Sequence, residues 1–241
     1  MSISDKLITI AENEQKVYNA GKKSQYDVFW DNFQDKGNRT EYFGAFMTRD
    51  YNNKNYNYWN AETFKPKYSM CPVGNATYMF SNIDVGDFKQ LLNDLGIVLD
   101  TSKVTHYKEA FLGTKIKNIG TLDLSKCFHL HHLFQDSDIE NVDKIILRND
   151  GDVVLYQSFL NASELENITF EGCIGNSDID FQWSPKLTKK SIVSVINALS
   201  STKGFVATFS KVAIVNAFGN VKNEEWLSLL ETKQNWVITL V

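Results

Sequence analysis

Residues 122–143 read LDLSKCFHLHHLFQDSDIENVD, and two readings of the stretch compete. It holds His129, His131 and His132, three of the chain's four histidines, together with Cys127, one of its three cysteines. That content suggests a metal site. The flanking sequence suggests something else. Residues 99–120, LDTSKVTHYKEAFLGTKIKNIG, and 147–169, LRNDGDVVLYQSFLNASELENIT, align with it. Leu99, Leu122 and Leu147 each stand 12 residues before a phenylalanine: Phe111, Phe134 and Phe159. A small hydroxyl residue follows each ring (Thr114, Ser137, Ser163). An apolar pair comes next: Ile116/Ile119, Ile139/Val142, Leu165/Ile168. The rings are spaced by 23 and then 25 residues, and a weaker earlier copy begins within 79-MFSNIDVGDF-88.

This period lies in the leucine-rich-repeat range. One such unit has an apolar edge that it cannot bury alone, and stacked neighbours join these edges into one core. The pattern predicts short parallel strands at 119–124, 142–147 and 168–170. The phenylalanines fill the core from the other side, and Asn, Gly and Asp clusters supply the turns. The fold class read here is mixed α/β: a short leucine-rich-repeat solenoid with parallel strands, a helical N-terminal cap and an α/β C-terminal cap. The same register places His106, His129 and Val154 in one column. Lys108, His131 and Tyr156 share another, and Glu109, His132 and Gln157 a third. Leu130 and Phe134 take the apolar positions, so the histidines occupy surface columns. Zinc-type sites need three or four converging ligands with supporting hydrogen bonds. The reading is therefore no metal and no cofactor.

Composition shifts divide the chain into four parts. Residues 1–40 form a helical N-terminal cap or docking segment, with an aromatic face at Tyr26, Phe29, Trp30 and Phe33. Residues 41–78 form a connector rich in Tyr, Asn, Phe and Trp. The repeats span 79–182. A C-terminal capping unit spans 183–241. In it Thr188 caps a helix whose apolar stripe is Ile192, Val195, Ile196 and Leu199. A strand is expected near 211–214, then a helix near 223–234 with Trp226 and Leu230 inward, then a last strand at 237–241. This closing unit is expected to keep the sheet edge from being adhesive.

The chain has 241 residues, 43% hydrophobic and 22% charged, with a formal charge of −4 and no basic patch, which disfavours nucleic acid. Cys71, Cys127 and Cys173 are odd in number and spell no CxxC, so all three are read as buried reduced thiols. The N-terminus lacks the pattern of a signal peptide, and no apolar run reaches membrane-helix length. The expectation is a soluble chain, cytoplasmic when made, without membrane insertion. GxSxG, Walker A, GxGxxG and HExxH are all missing, and Cys173 in 172-GCIGNSD-178 has no evident base beside it. The chain is read as no enzyme.

The segments at 110–119, 133–142 and 158–168 share a pattern of Phe, a small residue, then Ile/Leu and Ile/Val. It resembles the BspA-like class of bacterial leucine-rich repeats. Here the repeats lack that class's cysteine and its Ile-Pro after the strand. The architecture around them is similar to proteins encoded in phages and prophages of gut bacteria. The matching stretches are ITIAENEQKVYNAGKK, WNAETFKPKY, WSPKLTKKSIVSVINALS and NWVITLV. The resemblance implies the solenoid fold and an adhesin-like or host-attachment role, associated with the virion, and it brings no catalytic residues.

Candidate binding residues follow on two surfaces. Tyr56, Tyr58 and Trp59 lie in the aromatic connector, which reads either as a recognition surface or as rings that staple the cap to the repeats. Thr121, Asp123, Asp143, Lys144, Thr169 and Glu171 lie outward between the strand apolars. The partner expected is a protein or a glycan. Three alternatives stay open: a structural virion or assembly component, an intracellular phage factor that inhibits a host protein, and a sugar hydrolase. Oligomerisation through the N-terminal helices would favour the first.

Overall fold

A computed structural model describes Phe46, residues 59–67 and residues 69–241. The chain divides into two units, Met1–Gly37 and Asn38–Val241, and every described residue belongs to the second. The helical segment expected over 1–40 lies outside the described residues, as do Tyr56 and Tyr58.

The described part is mixed α/β with all its strands paired in parallel. In chain order the elements are β1 (Val73–Asn75), α1 (Phe88–Leu95), β2 (Lys103–His106), β3 (Asn118–Asp123), β4 (Asn141–Ile146), β5 (Asn167–Glu171), β6 (Ile179–Phe181), α2 (Lys189–Ala198), β7 (Val206–Phe209), α3 (Lys211–Phe218), α4 (Glu224–Glu231) and β8 (Val237–Leu240). They form three sheets, β1-β2, β3-β4-β5 and β6-β7-β8. The strands of the central sheet start within a residue of their expected positions.

The core is a column of phenylalanine rings. Phe46, Phe80, Phe111, Phe134, Phe159, Phe181 and Phe209 follow one another at centroid distances of 5.4, 5.3, 5.4, 5.8, 4.4 and 5.9 Å, all fully buried. Phe46, Phe80, Phe181 and Phe209 extend the column beyond the three rings aligned in the sequence, Phe80 falling in the weaker earlier copy. Each of the middle rings stands between two residues of positive φ. These pairs are Tyr78 and Asn82, Glu109 and Gly113, His132 and Asp136, and Gln157 and Asn161. That conformation costs a non-glycine residue about 1–2 kcal/mol. It persists because it aims amides at the next turn: His132, Phe134 and Asp136 donate to the carbonyls of Tyr156, Ser158 and Leu160. Glu109, Phe111 and Gly113 donate in the same register to His131, Leu133 and Gln135.

Both edges of the central sheet are covered by helices. Lys117 donates its amide to Gly86 just before α1, and Glu140, Glu166 and Thr188 repeat this step from strand to strand. Helix α1 thus takes the position of a strand before β3, and α2 the position of a strand after β5. The α2 serines complete the ladder. Ser191 Oγ accepts from the Ile168 amide at 3.0 Å, and Ser194 Oγ accepts from Phe170 at 2.8 Å. The edge amides of β5 are therefore satisfied by side chains where a strand would offer carbonyls.

Several expectations change. The strand expected near 211–214 is helix α3, and the strand lies earlier, at Val206–Phe209. A short apolar run such as KVAIVNAF suits either element. Here β7 already fills the sheet position, and Ser210 and Gly219 bound the run as a helix. Helix α1 was not foreseen, although Asp87 caps it, Gly96 ends it in the left-handed region, and Phe88 and Leu92 face the core. Thr188 caps α2 as expected, accepting from the Ser191 amide. Trp226 of α4 is buried and Leu230 only half-buried. Of the cysteines only Cys127 is buried; Cys71 is exposed and Cys173 half-buried. No helix among the described residues is long and apolar enough to cross a membrane.

Candidate functional site

The helices at the two edges are thicker than the strands between them, so they rise as walls over the outer face of β3, β4 and β5. The trough between them has a volume of about 600 Å³. Its floor carries a ladder of asparagines, one at the start of each strand. Asn118 Nδ2 donates to Asp87 Oδ2 at 2.7 Å. Asn141 donates to Asn118 Oδ1, and Asn167 to Asn141 Oδ1, each at 2.7 Å. Thr188 Oγ1 donates to Asn167 Oδ1 at 3.1 Å. Asp87 and Thr188 are the N-caps of α1 and α2. One hydrogen-bonded line therefore joins the caps of both walls through the floor. Each amide spends one donor and one acceptor on the ladder, which leaves it one further of each.

The walls supply charge. Lys89 on α1 pairs with Asp143 on β4 at 2.7 Å, both partly exposed, which is worth no more than about 1 kcal/mol. Lys190 on α2 is exposed, and its side chain makes no ion pair or hydrogen bond among the described residues. With Asp87 and Asp143 the trough is balanced in charge, and no aromatic ring lines it.

The outward residues expected from the sequence are exposed or half-exposed, and they divide by role. Asp143 and Thr169 line the trough. The Thr169 hydroxyl donates to the Asp143 carbonyl across the strands. Lys144 and Glu171 pair with each other at 2.9 Å. Asp123 accepts from the Ser125 amide at 3.0 Å and holds a turn. Thr121 lines a second, smaller cavity beside α1. Trp59 is 1% exposed and packs edge-on against Phe46 and Phe64 at 5.8 and 5.5 Å, so this ring is core rather than surface. The asparagine ladder was missed, although its signal is plain: an Asn immediately precedes Ile119, Val142 and Ile168.

The histidines lie in the columns expected. His106, His129 and Val154 bridge in parallel. The His106 and His129 rings are 5.0 Å apart, and His129 and His131 are 5.5 Å apart. Among the described residues no three His, Cys, Asp or Glu side chains form a group that could hold a metal. His132 has a structural task. It sits at a φ of 55° beside the phenylalanine column, and its ring pairs with the Gln135 side chain. Burial drives the Cys127 thiol up to about 12, so it remains protonated and unreactive.

Burial holds the His131 imidazole below its ordinary value, with help from the adjacent His129, His132 and Lys108 and against Glu109. The unfolded chain therefore takes up this proton first as pH falls. The stability is complete above the ordinary histidine value and is lost as pH drops through the lowered one. From about pH 7 to about pH 5, the melting temperature should fall further in the wild type than in His131→Gln. Equal falls would show that His131 has no part in the acid response.

Comparisons of the chain with protein-family models, curated proteins and solved structures give no match.

Proposed function

We propose that this chain is a non-catalytic binding module, a short leucine-rich-repeat solenoid of BspA-like kind that holds a segment of a partner protein in the trough between α1 and α2. The trough carries the reading. It is concave, its floor is an ordered line of amides, and its lining carries two lysines and two carboxylates. Such a surface suits a polar polypeptide with mixed charge. Glycan recognition draws on exposed aromatic faces, and the lining has none. The solenoid reading rests on the seven-ring column and the register that repeats from turn to turn. The resemblance to phage-encoded repeat proteins favours a host-attachment role, with the partner on the host surface.

The test is binding of the purified chain to host-surface protein and to a glycan array, beside Lys89→Glu/Lys190→Glu and His131→Ala. Saturable protein binding should weaken by about tenfold or more in the double variant, as loss of interface charge contacts does, and stay unchanged in His131→Ala. Binding that ignores the double variant would remove the site from the trough. Binding to glycans alone would sink the protein-ligand reading.

A further inference from the structure

The third sheet is finished differently from the central one. Helices cover both edges of β3-β4-β5, whereas β8 ends β6-β7-β8 with no further strand beyond it among the described residues. Val237 and Val241 donate their amides to Phe205 and Phe209 on the β7 side. Backbone groups alternate sides along a strand, so those of Ile238 and Leu240 point outward, unpaired. The side chains tell the same story. Ile179 and Ala207 are buried in the two preceding strands, and their neighbour Ile238 is only half-buried. Phe181 and Phe209 are buried, and Leu240, next in that column, is half-buried. Val237 is 63% exposed and Val241 64%. Proteins guard such edges with lysine, proline or a bulge. The stretch 237-VITLV-241 has neither lysine nor proline, and it pairs with β7 residue for residue.

We propose that the chain self-associates through this edge, with β8 pairing antiparallel to β8 of a second copy. The strand is its own complement. Turned end for end about Thr239, Val237 meets Val241 and Ile238 meets Leu240, while Thr239 faces its twin. The two residues whose amides and carbonyls point outward, Ile238 and Leu240, are the ones brought opposite each other. An antiparallel ladder needs that phase to exchange both hydrogen bonds. No charged side chain lies on the strand, so the two-fold sets no like-charged side chains together. The sheet runs on from one copy into the next, and each half-buried side chain gains a cover. A two-fold contact uses the same patch on both copies and closes as a dimer without growing further. One short strand per copy is small beside a stable interface of about 1,200–2,000 Å². The dimer is therefore concentration-dependent.

The test is sedimentation velocity of the full chain over a concentration series, with Thr239→Lys and Thr239→Glu. Thr239 is exposed, so both variants keep the fold, which circular dichroism checks. The wild type should move from monomer to dimer as concentration rises. Each variant alone should stay monomeric because position 239 faces itself. An equal mixture of the two should dimerise again. A wild type that is monomeric throughout overturns the proposal. So does a dimer indifferent to Thr239→Lys, and so does a mixture that fails to recover.

Discussion

Replacing Phe134 with alanine should lower the unfolding free energy by about 3–5 kcal/mol, the usual cost of removing a large aromatic ring from a packed core. Phe134 is fully buried at the centre of the column, 5.4 Å from Phe111 and 5.8 Å from Phe159. Its removal strips both neighbours of a stacking partner as well as leaving a cavity. Phe128, six residues earlier, is the control. It is 37% exposed and lies under the Arg148 guanidinium at 4.0 Å. Its truncation should cost about 1 kcal/mol or less. Urea denaturation of both variants checks the pair. A domain of marginal stability, about 5–15 kcal/mol, survives the second change easily and the first only narrowly. Similar losses at the two sites would mean that the column does not organise the core.

The column also shows what can be read from the sequence and what cannot. The rings at Phe111, Phe134 and Phe159 stand out because nothing is inserted between them. Helix α1 stretches the preceding interval to 31 residues and α2 stretches a later one to 28. Both hide the period while leaving the ring in place. The turns beside the rings are harder still. Left-handed backbone is expected at glycine or asparagine, yet Glu109, His132 and Gln157 adopt it in one column. Hydrogen bonds between successive turns impose that conformation, and no single residue announces it. The histidine-rich stretch takes its place in the same way, with His129 bridged in parallel to His106 on one side and Val154 on the other.

The trough was half legible. Exposed residues on the strands could be listed because two outward positions separate Ile119 from Leu122 and Val142 from Ile145. The walls could not, because Lys89 and Lys190 lie far apart in sequence. They meet across the sheet only because α1 and α2 each take a strand's place at its edge. Helix periodicity alone says nothing of that substitution.

Changing Gly172 to alanine should cost about 3 kcal/mol or more. Gly172 follows β5 directly and has a φ of +94°, where an L side chain is strained by about 1–3 kcal/mol. A Cβ there would also collide with the carbonyl oxygen of Leu147, its carbonyl carbon lying only 2.8 Å away. The backbone cannot retreat cheaply. Leu147 donates to the Glu171 carbonyl at 2.7 Å, and Cys173 donates to the Arg148 carbonyl at 3.0 Å. Moving the chain outward breaks both bonds, at about 0.5–1.5 kcal/mol each. Gly120 on β3 is the counter-case. It has no atom within 4 Å of a built Cβ and no positive φ. Alanine there should be neutral or stabilise by up to about 1 kcal/mol, by narrowing the unfolded ensemble. Opposite signs for one substitution at two glycines would locate the constraint in the close approach of the chains after β4 and β5. A Gly172→Ala loss below about 1 kcal/mol would mean that these two bonds yield more easily than their geometry implies.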